Sequence, residues 1–218
     1  MAIALFSLLH VLVFVYWLGG DLGAFYASGI IADPKQSVQA RTTAARFLND
    51  LDMAPRTAMI LALPTGLTLA SLKAWIDLPP WGLPALWVGS IVWLALAWII
   101  HLRHLAPTHP GRRMDLAIRW VVLTALTVAG VSIVSGVVAG PLFIGLKLIV
   151  LAATIVCGLW VRALIVPFGP AFGQMASGRG TPETDQTITT SLARVRPAVN
   201  LIWLLLLVAA LLGLWMPT

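Results

Sequence analysis

The chain has 218 residues, of which 60% are apolar and only 10% charged, and its mean hydropathy is +0.94. A chain of that balance has lipid as its main solvent, which excludes an ordinary soluble domain. The formal charge of +6 points away from nucleic acid, because the basic residues gather in loops that flank apolar runs, the pattern that orients a membrane protein.

In chain order, windows of about 19 residues predict six spans, at 2–30, 54–75, 84–105, 116–140, 141–166 and 197–215. Together they make one all-α, polytopic integral membrane domain, a bundle of six transmembrane helices. The first run carries no formal charge from residue 2 to residue 20, and its His10, Trp17 and Asp21 read as parts of a retained helix rather than a cleaved signal. After it, Asp33 and Pro34 offer a cap and a first-turn proline, and Val38, Ala45, Leu48 and Leu51 recur at near-helical spacing. A short surface helix is expected there. The Gly/Pro-rich stretch 167–180 is expected as a loop. Thr181 with Pro182 should start a second surface helix, and Pro197 should kink or break it where it enters the lipid.

The loops predict the topology. Lys35, Arg41, Arg46, Arg56, Arg103, Arg112, Arg113, Arg119, Arg162, Arg179, Arg194 and Arg196 fall on one side, and Lys73 and Lys147 on the other. That asymmetry puts the first set in the cytoplasm with the surface helices, and both termini outside. Trp75, Trp81, Trp87 and Trp215 near the outer ends agree, since indole rings favour the headgroup layer. Gly19, Gly23 and Ala27 on the first span, and Ser132, Gly136 and Gly140 on the fourth, predict close helix neighbours. The same small faces would serve a homodimer, although packing within one chain uses them more directly.

The ionisable groups inside these runs carry the functional signal, because each is costly in lipid unless it faces a partner. With the N-terminus outside, His10 lies roughly 12 Å deep and Lys147 roughly 9 Å deep at the helical rise. Two basic groups at matching depth predict one shared pocket for an anionic or metal-containing ligand. His101 and His104 share a helix face at the cytoplasmic end, where interfacial histidines are the simpler explanation. His101 is too deep on the far side, roughly 25 Å from the outer end of its span, to share an iron with His10. His109 is expected as a solvated loop residue. Asp21 is expected to pair with an arginine at the cytoplasmic boundary, with the end of a proton path as its functional alternative, and Asn200 to bond within the bundle. Cys157 is the only cysteine, which removes any disulfide or multi-cysteine metal site. The scattered methionines lack the cluster of a copper(I) relay.

The segment "LLHVLVFVYWLGGDLGAFY" at 8–26 resembles the first helix of the HemJ-type membrane protoporphyrinogen oxidases, with a histidine, then tryptophan, then glycine. "GPLFIGLKLIVLAATIVCGLWVRAL" at 140–164 resembles the lysine-bearing helix of that group, and "ARVRPAVNLIWLLLL" at 193–207 its final helix. The fourth and fifth spans also resemble the last part of the CopD copper-resistance family. Six spans here stand where the oxidases have four, and Leu201 stands where an acidic residue often follows the asparagine.

The resemblance implies His10 as ligand to haem b, with Lys147 as a second essential group. Trp17 and Asn200 stand as further candidate cofactor contacts, and Lys147 and Asp21 as candidate catalytic groups. It implies a multi-pass redox protein of the bacterial inner membrane that exchanges electrons with a quinone or a partner redox subunit, with porphyrinogen oxidation as the leading chemistry. Copper passage of the CopD kind is the alternative, and a cofactor-free membrane anchor or assembly subunit is a third.

Overall fold

The computed structural model describes residues 1–217 and contains eight helices. They are α1 (Ala2–Ala32), α2 (Val38–Leu51), α3 (Met53–Leu72), α4 (Gly82–Leu102), α5 (Pro110–Val134), α6 (Leu142–Leu164), α7 (Phe168–Ala176) and α8 (Pro182–Trp215). No strand occurs among the described residues. Five helices, α1, α4, α5, α6 and α8, are long and apolar enough to cross a membrane.

Six helices close into a ring. Neighbours pack in the order α1, α3, α4, α5, α6 and α8, and α8 packs back on α1. The ring's interior is filled by Trp17, Met59, Trp93, Leu126, Phe143, Ile155 and Ile202, which belong to one continuous core. At one end, α2 and α7 lie against α1 and α8 over a second core that includes Ile31, Ala44, Met175 and Ile188. We call this the capped end. The opposite, open end carries Met1, the α5–α6 turn and the C-terminus of α8.

α3 differs from its neighbours for a physical reason. It carries Arg56, Pro64 and several threonines and is not among the helices apolar enough to span. Yet Leu72 at its end is its only large apolar side chain that is exposed, whereas α1, α4, α5, α6 and α8 expose rows such as Val88, Ile91 and Val92 or Leu204, Leu207 and Leu211. A helix screened by α1 and α4 buries its polar hydroxyls in hydrogen bonds and does not need an apolar outer face.

Several sequence expectations are corrected. Ser37, not Asp33, caps α2, its hydroxyl accepting from the Ala40 N–H at 3.2 Å. The Asp33 carboxylate instead accepts from the Lys35 N–H at 2.9 Å and the Gln36 amide at 3.2 Å, an Asx-type turn that competes with capping. These bonds hold its pKa below the ordinary carboxylate value, the Lys35 N–H contributing most. The stretch 167–180 is not all loop, because Ala171 and Met175 bury one face of α7 and Phe168 stacks on Phe172 at 5.3 Å. α8 runs through Pro197 without interruption, so the expected surface helix and the last span are one helix of 34 residues. Thr181 caps it as expected, accepting from the Thr184 N–H at 3.2 Å.

α5 begins and ends earlier than the hydropathy suggests. His109 is its N-cap, Nδ1 accepting from the Gly111 N–H at 3.0 Å, so it is not simply a solvated loop residue. Gly136 and Gly140 therefore lie beyond the helix. The close approach of α5 to α6 is made by Gly130 and Gly145, where a β-carbon on either would stand 3.0 Å or less from the other's carbonyl oxygen. On α1 the small residue that meets α3 is Gly20, with Pro55 and Ala54 against it, whereas Gly19 faces open space.

Candidate functional site

His10 lies two turns into α1, on the face turned toward α3. Its Nδ1 is 2.9 Å from the Thr65 hydroxyl oxygen. That hydroxyl has one proton, which it donates to the Leu61 carbonyl at 2.6 Å. The imidazole must then be the donor of the pair, and the proton sits on Nδ1. Nε2 is left with a lone pair, as in metal-binding histidines whose other nitrogen is fixed by an outer partner.

The ring fits because residue 66 has no side chain. A β-carbon on Gly66 would stand 2.9 Å from His10 Cε1, well inside van der Waals contact. Thr65 and Gly66 thus make a seat on α3, one supplying an acceptor and the other clearance. The sequence offers a Pro-Thr-Gly run inside an apolar helix as their only signal, and neither residue stood out there.

Lys147, on the second turn of α6, is half-buried with its Nζ against Gly213 of α8, where a β-carbon would stand 2.8 Å away. Among the described residues no carboxylate pairs with it. His10 and Lys147 both stand toward the open end of the ring, His10 against α3 and Lys147 against α8, and no contact brings α1 and α6 together among the described residues.

The other predicted site residues lie elsewhere. Trp17 is buried beside Asp21, one turn away on α1, and both stand further along the helix than His10, by roughly 10 and 16 Å. Asp21 does not pair with an arginine. Its Oδ2 is buried without a hydrogen-bond partner among the described residues, and the nearby Arg56 is taken by Asp52 in an i, i+4 ion pair. Asn200 is exposed and makes none of the bonds expected of it within the bundle. His101 stands at the capped end, with Nε2 3.6 Å from the Asp50 carboxylate and its ring 6.3 Å from that of His104. The two do not share a helix face as expected, because α4 ends at Leu102 and His104 follows it with a φ of 46°; the described residues contain no group of three or more metal-ligating His, Cys, Asp or Glu side chains.

A network that the sequence did not reveal is centred on Asp115 of α5. Its carboxylate accepts from the Trp93 indole at 3.0 Å, from Arg119 at 3.1 Å and from Arg162 at 3.4 Å. Arg119 also reaches the Met59 sulfur at 3.7 Å, so α3, α4, α5 and α6 meet there. The i, i+4 spacing of Asp115 and Arg119 was the available signal.

A groove of about 640 Å³ runs between α1, α3 and α4, lined by Leu9, Val13, Tyr16, Thr57, Thr65 and Trp98 among others. It brings the outside of the bundle to Thr65, the partner of His10. The Trp98 and Trp87 indoles donate to Thr57 and Thr68 at 3.2 and 3.0 Å along the same side of α3. No protein-family description, no curated protein and no solved structure matches this chain.

Proposed function

We propose that this protein is an integral membrane redox protein that holds a b-type haem through His10. The observation that carries the proposal is the Nδ1 bond of His10 to a threonine whose own proton is committed elsewhere. That bond leaves Nε2 with a free lone pair, so His10 would hold the iron of a haem through that atom. Lys147 would supply a positive charge suited to a haem propionate or a second ligand to the iron.

The membrane frame for this is a six-pass bundle in which α3 crosses beside α1 and α4. It is supported by the closed ring of neighbours, in which α3 packs between α1 and α4. The twelve basic residues group toward the capped end, which supports a cytoplasmic capped end, outer termini and a bacterial inner membrane. His10 and Lys147 then lie in the outer half of the bilayer.

When bound, haem supplies one-electron chemistry at a potential set by its ligand and burial. The chain's own work is more limited. Thr65 fixes the imidazole tautomer, Gly66 gives the ring clearance, the apolar walls exclude water, and Lys147 balances anionic charge. Electron exchange with a quinone or a partner subunit is the expected role, and porphyrinogen oxidation is the leading chemistry if the protein is an enzyme.

The test is the iron, copper and extractable porphyrin content of detergent-purified protein. We expect stoichiometric haem that His10→Ala removes while helix content is kept. Copper without porphyrin would favour the copper-passage alternative. Neither metal, together with a stoichiometric copurifying protein, would favour a cofactor-free anchor.

A further inference from the structure

The Asp115 network is unbalanced in charge. Arg119 and Arg162 both bond to the one carboxylate of Asp115, which is 4% exposed, while their side chains are 11% and 37% exposed. Arg56, at the start of α3, and Arg112, at the start of α5, stand at the same end of the ring as Arg162, at the end of α6. Among the described residues, the only other carboxylate in ion-pair contact with these four guanidinium groups is Asp52, on Arg56. Four positive charges thus meet two negative ones at the capped end, with Asp115 and Arg119 buried and Arg56 and Arg162 partly exposed.

The donors are not used up. Of the guanidinium N–H groups of Arg162, one nitrogen, Nη2, finds an acceptor among the described residues. Arg112 uses Nε on the Leu105 carbonyl at 2.7 Å and leaves both terminal nitrogens free of protein acceptors there. Arg112, Arg162 and Arg56 are half-buried, so the cluster is accessible from outside. Their positions near the start of α3, the start of α5 and the end of α6 put the free donors around the capped-end mouth of the ring. Planar forks of this kind match oxyanions with two or more oxygens.

We propose that Arg56, Arg112 and Arg162 form a binding site for a phosphate-class oxyanion at the capped-end mouth of the helix ring. Asp115, itself held by Arg119, positions Arg162, and the anion supplies the missing negative charge. The phosphate reaches this mouth either as the headgroup of an anionic lipid or free in water. The site lies at the opposite end from His10 and does not depend on the haem proposal.

The experiment is thermal unfolding of the purified full chain at constant ionic strength, with three probes: inorganic phosphate, phosphatidylglycerol in mixed micelles, and neutral diacylglycerol in the same micelles. We expect a saturable rise in Tm, about 5–10 °C at a hundredfold excess over Kd. A rise with inorganic phosphate identifies the free anion as ligand, and a rise with phosphatidylglycerol alone identifies the headgroup. Arg112→Gln and Arg162→Gln should each cut the rise by more than half, and Arg179→Gln, outside the cluster, should leave it intact. Two variants guard against one that folds poorly. Absence of any rise overturns the proposal, as does an equal rise with diacylglycerol or an undiminished rise in both cluster variants.

Discussion

Replacing Asp115 by asparagine keeps the shape of the side chain and its acceptor for Trp93 but removes the charge between Arg119 and Arg162. The carboxylate is 4% exposed and 3.1 Å from Arg119. At an effective dielectric of about 20, a unit-charge pair at that separation is worth about 5 kcal/mol. The variant also leaves two guanidinium groups facing each other without a counter-ion. Breaking a buried pair by removing one partner typically costs about 3–5 kcal/mol, which corresponds to a fall in Tm of about 6–20 °C for a chain of this size. The assay is thermal unfolding in detergent, followed by circular dichroism. Asp115→Leu combined with Arg119→Met should recover part of the loss, because both charges are then gone. A fall below about 1 °C for Asp115→Asn would show that the network does not hold α3 to α6 together as described.

At the His10 seat, Gly66→Ala places a methyl group 2.9 Å from Cε1 and should drive the imidazole off Thr65. Alanine improves helix propensity by up to about 1 kcal/mol, so stability should stay near wild type while haem content falls, and a full haem complement would refute the contact. Arg41 is 3% exposed and ties the Ile31 carbonyl to Asp185 at 2.8 and 2.6 Å. Arg41→Met should cost about 3 kcal/mol and expose the segment 34–52 to limited proteolysis before the rest, and unchanged cleavage would count against this tie. The depressed pKa of Asp33 means that its turn contributes stability above the ordinary carboxylate value and loses it as pH falls through the lower, folded-state value. Hydrogen exchange at the Lys35 amide should therefore accelerate on acidification, and Asp33→Asn should remove that acid step; an identical profile in the variant would refute it.

The apolar runs were legible because lipid imposes its composition on every helix that faces it, and five of the six expected spans have that composition. α3 was found from its residues but with a weaker signal, since screening by α1 and α4 relieves it of the need for an apolar surface. Boundaries were misplaced where proline and glycine were taken as breakers. Pro197 sits inside α8, and part of the Gly/Pro-rich stretch 167–180 forms α7. His10 and Lys147 stood out by cost alone, a property of a single residue in a known solvent. Thr65, Asp115 and Arg162 did not, because their importance rests on partners 47 to 55 positions away. Asp21 shows the same limit in reverse. An arginine was expected beside it, but none pairs with it among the described residues, and Arg56 on α3 is paired with Asp52.

The most direct measurement is the reduced-minus-oxidised absorption spectrum of purified wild type beside His10→Ala and His101→Ala. Haem held through His10 Nε2 predicts a b-type spectrum in the wild type, its loss in His10→Ala and its retention in His101→Ala. A spectrum that survives His10→Ala, or a wild type with no haem absorption, would end the assignment of His10 as the ligand.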